Sequence, residues 1–370
     1  MFRSWNATCP RGAEPALEGE LRALGAKGVR PGQGIVRFTG EREIALRACL
    51  DLRTALRVLE PVGEFAAVTA DELYAGAQQL PWGELILKGQ TIAVAASGRA
   101  EALTNTHFVE QRLKDAVVDV LRDRHGFRPD VDPRAPDVLI VAHLGNGQCS
   151  VSIDLAGELL SNRGYRVRTV EAPLREALAA AVVLYSGWDG TTPAHDPVCG
   201  SGTLAIEAAL FAARKAPNQK RRLACERSPD DARIVARLRE ELAARVVNTP
   251  PIFASDRDAD AVEATRANAR AAGVQLRIEQ ADVRQIKPMD PPGQLFLNVP
   301  YGERLEAGGR KQLKTFYHQL GDALRGLPGH RATILSGNED FESAFGVRPR
   351  GPRRVLWNGP LRCALLGYVF

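Results

Sequence analysis

A glycine-rich turn between a predicted strand and a predicted helix is the first segment of the chain that could bind a ligand. It reads Asp196-Pro197-Val198-Cys199-Gly200-Ser201-Gly202-Thr203. Gly200 and Gly202 allow the backbone to turn tightly and to approach a ligand. A helix that begins at Ser201 or Thr203 directs its free N–H groups at whatever binds there. The spacing does not fit the GxGxxG pattern of dinucleotide sites, and the chain has no GK[ST] phosphate loop, so a different ligand is indicated.

Acidic residues follow the next two predicted strands of the same region. A carboxylate at Asp256 can accept hydrogen bonds from both ribose hydroxyls of an adenosine, and Asp282 can hold an adenine amino group. The alternative role for each acid is the N-cap of a helix, which is the role we predict for Asp258. Because parallel strands end at one edge of a sheet, Asp196, Asp256 and Asp282 together favour a ligand site over three unrelated caps.

A second motif, Asn298-Val299-Pro300-Tyr301, ends the fourth predicted strand. An exocyclic ring amine is a poor nucleophile, and it needs acceptors for its N–H groups as charge develops. The Asn298 side chain and the backbone carbonyl of Val299 or Pro300 can serve as acceptors, so positioning and electrostatics supply the rate. Tyr301 offers a face for stacking on a base, which must be single-stranded or flipped out to reach such a pocket. The alternative is a proline turn with a buried tyrosine.

Strands and helices alternate from residue 169 to the C-terminus, which predicts an α/β fold with a doubly wound parallel sheet. An antiparallel hairpin across Asn358-Gly359 closes it. The predicted strands lie just before Asp196 and at 252–255, 276–279, 295–298, 332–336, 353–357 and 361–370. The predicted helices lie at 172–186, 201–215, 258–272 and 313–325.

The first 155 residues show two smaller mixed patterns. Residues 1–60 alternate short helical and strand-like segments, which is typical of a small α/β sandwich. In residues 61–155, a long amphipathic segment at 106–123 predicts a helix, and the turn sequence Gly145-Asn146-Gly147 predicts a hairpin. The pattern loosens over residues 156–168, which we interpret as a linker between domains.

Bulk composition indicates an ordinary multidomain globular chain of 370 residues, with 45% hydrophobic and 25% charged residues. No apolar stretch approaches the length of a membrane span, and the N-terminus lacks a signal-peptide core. The six cysteines are scattered without a CxxC pair, so we expect no metal site and a reducing cytoplasm. We expect a monomer.

The net charge of +5 lies entirely in residues 303–370, where there are 11 basic residues and 6 acidic ones. A basic face beside a nucleic-acid site and a solvated surface both explain that charge.

Both motifs resemble those of class I S-adenosylmethionine-dependent methyltransferases that act on amino groups. The match extends to THUMP-containing guanine-N2 RNA methyltransferases, which modify bacterial large-subunit ribosomal RNA and certain tRNAs. It is carried by Gly164-Tyr165-Arg166, Ala172-Pro173-Leu174-Arg175-Glu176, the turn with Ile206-Glu207-Ala208-Ala209, and Asn298 to Leu305 (NVPYGERL). The resemblance implies a ferredoxin-like segment (1–60), a THUMP RNA-binding domain (61–155) and a Rossmann-like methyltransferase domain (169–370). A THUMP domain recognises RNA ends or folded RNA and delivers the target, so the implied partner is rRNA or tRNA.

The resemblance also implies roles for individual residues. The catalytic pocket would consist of Asn298, Pro300 and Tyr301. The S-adenosylmethionine site would be formed by Pro173, Leu174, Asp196, Cys199, Gly200, Ser201, Gly202, Thr203, Asp256, Arg257, Asp282, Val283 and Asn298. Within that set, Pro173 and Leu174 would close over the methionine end, Asp256 would bind ribose, and Asp282 with Val283 would bind adenine.

One position departs from the family pattern, which is usually Asn-Pro-Pro-Tyr. Val299 supplies a carbonyl but does not fix φ as proline does, so we expect retained activity with a looser loop. Two further interpretations stay open. The same chemistry suits adenine N6 on RNA or DNA, and Val299 also fits an RNA-binding homologue that has lost catalysis.

Overall fold

The computed structural model describes residues 2–170, 173–301 and 309–370. The first part of the chain forms one seven-stranded sheet. Its strands are β1 (Arg3–Thr8), β2 (Lys27–Pro31), β3 (Ile35–Gly40), β4 (Arg57–Ala66), β5 (Ile92–Gly98), β6 (Val138–Gly145) and β7 (Gln148–Asp154). Its helices are α1 (Glu14–Ala23), α2 (Arg42–Asp51), α3 (Ala70–Ala77), α4 (Trp82–Leu85) and α5 (Thr106–His125). The strands lie in the order β2-β3-β1-β4-β7-β6-β5.

The long strand β4 joins the two N-terminal units. Its first residues pair antiparallel with β1, and its remaining length pairs antiparallel with β7. Residue 60, where the sequence pattern divides the chain, lies inside this strand. The two units therefore share backbone hydrogen bonds within one continuous sheet.

Each N-terminal unit still has its own apolar core. The first is built around the buried side chains of Trp5, Phe38 and Leu46, beneath α1 and α2. The second is built around Trp82 and Val117, beneath α3 and α5. The predicted hairpin is present as β6 and β7, and Asn146 and Gly147 occupy its turn with positive φ.

The second sheet contains the remaining strands. They are β8 (Ala194–Asp196), β9 (Ile252–Asp256), β10 (Arg277–Gln280), β11 (Gln294–Asn298), β12 (Arg331–Ser336), β13 (Arg354–Asn358) and β14 (Leu361–Val369). The accompanying α-helices are α6 (Glu176–Tyr185), α7 (Thr203–Ala212), α8 (Pro229–Ala244), α9 (Ala259–Ala272), α10 (Gly309–Arg325) and α11 (Phe341–Phe345). Short 3-10 turns lie at Ala224–Arg227 and Val283–Gln285.

The order of the second sheet is β10-β9-β8-β11-β12-β14-β13. The first five strands in this order are parallel, and β14 is antiparallel to both β12 and β13. The chain winds outward on both sides of β8, which makes the carboxyl end of β8 a topological switch point where ligands bind. The predicted α/β fold with a closing hairpin is confirmed.

Helix α8 was not predicted from the sequence, and it connects the two halves of the molecule. Val235, Leu238 and Leu242 recur at helical spacing along it and are buried in the same core as Leu46 and Leu50 of α2. The helical spacing of apolar residues in 229–244 is enough to predict this helix. It does not predict that the helix packs on α2, because α2 lies about 190 residues earlier in the sequence.

Polar contacts reinforce this docking. Arg42 donates to both carboxylate oxygens of Asp231, at 3.1 and 2.7 Å, and Arg237 pairs with Glu43 at 2.6 Å. The loop after α2 also reaches the helices of the second sheet, since Arg53 donates to the carbonyl of Leu210 in α7 (3.1 Å) and to that of Lys215 just after it (2.8 Å). Arg47 and Arg245 make further pairs with Glu241 and Asp51.

A fragment of residues 156–370 is therefore expected to be unstable. Its α8 would expose an apolar face, and each buried aliphatic side chain of that face contributes about 1.5–3 kcal/mol by leaving water. We expect thermal unfolding at a clearly lower temperature than for the full chain, with binding of a hydrophobic dye. Replacing Val235, Leu238 and Leu242 by Gln in the fragment is the control and should abolish dye binding. A fragment as stable as the full chain would contradict this docking.

Candidate active site

The glycine-rich turn leaves the carboxyl end of β8 and is pinned to the end of β9. The Cys199 N–H donates to the Ser255 carbonyl at 3.0 Å, and the Gly200 N–H donates to Asp256 Oδ2 at 2.9 Å. Gly200 has φ of +53°, in the left-handed region. The turn therefore presents backbone, with no side chain at Gly200, to the space between Asp196 and Asp256.

Close packing against α9 explains the second glycine. Gly202 has φ of +83°, and a Cβ on it would lie 2.8 Å from Thr265 Cγ2. The Thr265 hydroxyl donates to the Gly200 carbonyl at 2.8 Å, and the residue is fully buried. Any larger residue at position 202 would push the turn away from α9. Thr265 had no signal in the sequence, because nothing local distinguishes it from an ordinary helix threonine.

Asn268, on the same helix, joins the turn to the segment that enters the domain. Its amide donates to the carbonyls of Ser201 (2.9 Å) and Arg168 (2.8 Å). Its Oδ1 accepts from the N–H groups of Val167 and Arg168, both at 2.9 Å. All these hydrogen bonds of the Asn268 side chain are to backbone groups. This fully buried side chain therefore positions the turn and takes no part in the chemistry.

Arg166 ties three segments together. Its guanidinium donates to the hydroxyls of Ser201 (3.1 Å) and Thr203 (3.2 Å). It also donates to the Leu174 carbonyl at 2.8 Å and pairs with Glu176 at 2.9 Å. These contacts hold Leu174 beside the turn. The two hydroxyls point back at Arg166, so Ser201 and Thr203 shape the site from behind.

Asp196 ends β8 and is almost completely buried. Burial raises the pKa of its carboxyl group to about 8, and the nearby Asp256 acts in the same direction. Burial likewise raises the pKa of the Cys199 thiol well above its ordinary value. Burial therefore disfavours the thiolate form of Cys199, which lines the smaller cavity.

Two adjoining cavities occupy the carboxyl edge of the sheet. The larger, of about 620 Å³, is lined by Asp256, Arg257, Asp282, Val283 and Pro300, among others. The smaller, of about 50 Å³, is lined by Pro173, Leu174, Asp196, Cys199, Ser201 and Thr203, among others. Gly200 and Asn298 line both cavities. The structure thus brings together all the predicted site residues except Gly202 and Tyr301, which line neither.

The acids of the larger cavity are held by their own neighbours. Asp282 accepts from the Arg284 N–H at 2.9 Å and pairs with its guanidinium, which lowers the pKa of Asp282 to about 2. Asp282 thus caps the short 3-10 turn that follows it, which is the alternative role predicted for these acids. Asp258 likewise caps α9 and accepts from the Asp260 N–H. The carboxylate of Asp282 is therefore charged, and it still lies in the cavity wall.

Helix α10 supplies the wall that sequence reasoning missed. Lys311, Gln312, Thr315, Phe316 and Gln319 all line the larger cavity. Lys311, Thr315 and Gln319 recur at i, i+4 and i+8 along one helix face. The sequence shows this spacing, but it does not show that the face lines a cavity. Their assignment to the site needed the packing of α10 over β11.

Asn298, the last residue of β11, lies where the cavities meet. Its Oδ1 is buried and has no hydrogen-bond partner among the described residues. A buried amide oxygen without a donor is destabilising by roughly 1–3 kcal/mol, and it identifies a position where a ligand N–H would be accepted. The Pro300 carbonyl, by contrast, already accepts from the Tyr317 hydroxyl of α10 at 2.6 Å.

Tyr301 lies beside the site with its ring largely buried. Its hydroxyl accepts from the Asn358 side chain, at the tip of the closing hairpin, at 3.0 Å. The ring packs so close to Gly337 that a Cβ there would lie 3.2 Å from Tyr301 Cγ. Base stacking by Tyr301 stays a prediction. Ala172 and residues 302–305 of the predicted motifs lie outside the described residues.

Val299 is fully buried in the core beneath α10, with Leu313 and Tyr317. Its N–H donates to the Leu335 carbonyl at 3.2 Å, which extends the pairing of β11 with β12 by one residue. A proline could not donate this bond. The valine is thus accommodated as part of the sheet.

No group of three or more His, Cys, Asp or Glu side chains in the described part of the chain is arranged to hold a metal ion. Within the same residues, no helix is both long and apolar enough to span a membrane.

Replacing Asp196 by Asn should stabilise the ligand-free protein in a pH-dependent way. The folded pKa of Asp196 lies above its unfolded value of about 3.9, so the folded state binds the extra proton and stability falls as pH rises from about 4 to 8. Asn carries no such proton. Thermal unfolding should show the variant gaining most over wild type at pH 8.5 and least near pH 4. A difference that does not change with pH would contradict a buried, protonated Asp196.

Replacing Val299 by Pro should destabilise the protein. The substitution removes one ladder hydrogen bond, a loss of about 1 kcal/mol, and leaves the Leu335 carbonyl unpaired. Chemical denaturation of Val299→Pro and wild type measures the difference. Val299→Ala is the control, since it trims the side chain but keeps the N–H. A Val299→Pro protein as stable as wild type would show that the extra ladder bond contributes nothing.

Comparisons with known proteins agree with this architecture. A family model described as RMKL-like, methyltransferase domain, matches residues 163–366. A THUMP domain model matches residues 67–154, and an RlmL ferredoxin-like domain model matches residues 5–59.

Individual relatives cover the whole chain. Ribosomal RNA large subunit methyltransferase K/L of Magnetococcus marinus is 40% identical over 99% of this chain, which corresponds to 53% of that protein. The chain thus spans about half the length of the curated relatives it matches. Among solved structures, a methyltransferase designated SMU.472, complexed with SAH, is 33% identical with a TM-score of 0.88, and covers 100% of this chain and 98% of its own.

A third relative carries a different name. A predicted N6-adenine-specific DNA methylase from Listeria monocytogenes is 28% identical with a TM-score of 0.85, and covers 100% of this chain and 96% of its own. Since one family model covers more than half of the residues and the full-length structural match exceeds 30% identity, the chain belongs to the RMKL-like methyltransferase family.

Proposed function

We propose that the protein is an S-adenosylmethionine-dependent RNA methyltransferase that modifies the exocyclic N2 amine of a guanosine in rRNA or tRNA. The observation that carries the proposal is the buried Asn298 Oδ1 at the junction of two cavities, which has no hydrogen-bond partner in the part of the chain that the structure describes. An amine N–H would satisfy it. The names of the Magnetococcus relative and of its homologues support ribosomal RNA as the substrate.

The residues of the two cavities fit S-adenosylmethionine. The SAH complex of the SMU.472 structure supports this cofactor class. The larger cavity has acids for ribose and adenine at Asp256 and Asp282, and the smaller has the Leu174 segment and the glycine turn for the methionine end. Gly200, whose left-handed backbone carries no side chain, allows close approach in between.

The bound cofactor supplies an electrophilic methyl group on a sulfonium sulfur. Asn298 Oδ1 accepts one N–H of the target amine and stabilises the positive charge that develops on nitrogen as the new N–C bond forms. The second acceptor is a backbone carbonyl of the same motif, that of Val299 or that of Pro300; the carbonyl of Pro300, a residue that lines the larger cavity, already accepts from Tyr317 and keeps one lone pair. Neither acceptor is a strong base, so the amine proton passes to water after transfer. Packing by Tyr317 keeps the loop in place.

RNA delivery falls to the THUMP unit, which β4 and α8 fix relative to the active site. A nucleotide must leave its helix to reach Asn298, so the target is single-stranded or flipped out. An rRNA or tRNA substrate would place the protein's site of action in the cytoplasm.

Adenine N6 is the second candidate, and the name of the Listeria relative favours it. Both bases carry an exocyclic amine that Asn298 and Val299 could accept. An RNA-binding homologue without catalysis is less favoured, because Val299 fits the sheet without displacing Asn298.

Labelled methyl transfer onto RNA from cells lacking the protein, followed by nucleoside analysis, tests the proposal. N2-methylguanosine is the expected product. Asn298→Ala should lower kcat by about 10²- to 10³-fold, the usual cost of removing one transition-state partner. Thr315→Ala, a change elsewhere in the cavity wall, controls for general disruption of the cavity.

Other results would overturn parts of the proposal. N6-methyladenosine as the product would replace guanine by adenine, and a fully active Asn298→Ala would refute the acceptor mechanism. Absence of S-adenosylmethionine binding at millimolar concentration, measured by calorimetry, would refute the enzyme assignment.

A further inference from the structure

The cations of the described residues 309–370 are of two kinds, those paired with acids and those without an acidic partner among the described residues, which include Lys311 and Arg331. Four are paired with acids: Arg310 and Lys314 with Asp340, Arg325 with Asp322, and Arg353 with Glu342. Among the described residues, the other cations of the closing hairpin and of the loop before it have no acidic partner. These are Arg348, Arg350, Arg354 and Arg362. The excess charge of the chain is thus concentrated at the hairpin.

The tip of the hairpin joins one of these cations to another from the N-terminal unit. Trp357 is the cross-strand partner of Arg362. The Arg11 guanidinium lies 4.5 Å from the centroid of the Trp357 ring, and the Trp357 N–H donates to the Arg11 carbonyl at 3.1 Å. Arg11 is exposed and also lacks an acidic partner among the described residues. We call Arg11, Trp357 and Arg362 the hairpin patch.

The hairpin patch lies at the same edge of the sheet as the candidate active site. Strand β14 pairs with β12 such that Ala364 lies opposite Ser336, the last residue of β12, so Arg362 extends beyond the carboxyl end of the parallel strands. Side chains alternate along a strand, so Arg362 shares a face with Ala364 and Leu366, which pack in the core beneath α10. This is the face on which α10 lines the larger cavity.

The next residue connects the patch to the catalytic motif. Asn358 follows Trp357 and donates to the hydroxyl of Tyr301 at 3.0 Å. A chain of covalent and hydrogen bonds therefore fixes the patch relative to the acceptor loop. Tyr301, beyond the carboxyl end of β11, and the patch therefore lie at the same edge of the sheet.

We propose that the hairpin patch binds the phosphates of single-stranded RNA that flanks the target nucleotide. The inference rests on the proposed function. A guanidinium presents planar donors that match phosphate oxygens, and stacking on an indole orders Arg11 before RNA arrives. Contacts of this kind set the register of a nucleic acid without reading its sequence. Because Arg11 belongs to the N-terminal unit and Arg362 to the hairpin, the RNA would cross the junction between the two sheets.

The test is RNA binding by the full chain as a function of salt. Each phosphate contact in a single strand contributes about 0.7 to the slope of log K against log salt concentration. Arg11→Gln with Arg362→Gln should lower that slope by about 1.4 and weaken binding roughly tenfold or more at 0.1 M salt. Arg270→Gln with Arg331→Gln is the matched control: both arginines are exposed, lack acidic partners among the described residues, and lie toward the opposite edge of the sheet.

A further variant and a second ligand separate the outcomes. Trp357→Leu should weaken RNA binding through Arg11 while SAH affinity stays unchanged. An unchanged salt slope in the Arg11/Arg362 variant would overturn the patch. If the control pair lowers the salt slope and the RNA affinity equally, any loss of positive charge has the same effect, and the hairpin patch is not a binding site. If the wild-type protein binds SAH but no RNA, the proposed function is wrong. That result differs from an unchanged salt slope and from equal losses in the control pair.

Discussion

The contact between Gly202 and Thr265 is the constraint on which the site depends. A hydroxyl and a methyl group of α9 fill the space where a side chain on the turn would go, and the same hydroxyl holds the Gly200 carbonyl. The turn is thereby fixed from behind, and its free face is directed at Asp196 and Asp256. Asn268 adds the entering segment to the same support, so one helix face positions backbone from two separate parts of the chain.

Helix α7, which begins at this turn, is also where the two halves of the molecule meet. Glu207, at its middle, is fully buried, accepts from the Tyr165 hydroxyl at 2.9 Å and pairs with Arg163. Arg163 in turn donates to the Arg53 carbonyl of the N-terminal unit. A buried ion pair is weak evidence for stability, because desolvation opposes the attraction. Its directional bonds do fix geometry, and here they fix the N-terminal half against the helix that starts at the ligand turn.

Most strands of the catalytic domain were predictable because a polar residue ends or follows them, and β9, β11 and β12 are largely apolar runs; helix α8 was not predicted. That pattern located Asp196, Asp256, Asp282 and Asn298, and the parallel topology then placed them at one edge. The supporting residues were not predictable. Thr265, Asn268 and Arg166 act through partners that are close in space but distant in sequence, and their residue types are common in helices and loops. Ser201 and Thr203 do line the smaller cavity, but their contact with Arg166 was not predicted, and their roles toward a cofactor stay a prediction.

Asn298 shows why the motif identifies a reaction but not a base. Its oxygen is an acceptor for any exocyclic amine, and guanine and adenine both present one. The two bases differ in the groups beside the amine: guanine has an N1–H donor next to N2, and adenine has a bare N1 acceptor next to N6. To distinguish guanine from adenine, the pocket therefore needs a residue that contacts the ring N1 beside the amine. In the larger cavity, side-chain amides that can both donate and accept are present on α10, at Gln312 and Gln319, and these residues lie outside the Asn-x-Pro-Tyr motif. A change of base within the family would then follow from substitutions on one helix face, with the acceptor loop, its Tyr317 brace and the glycine turn left as they are.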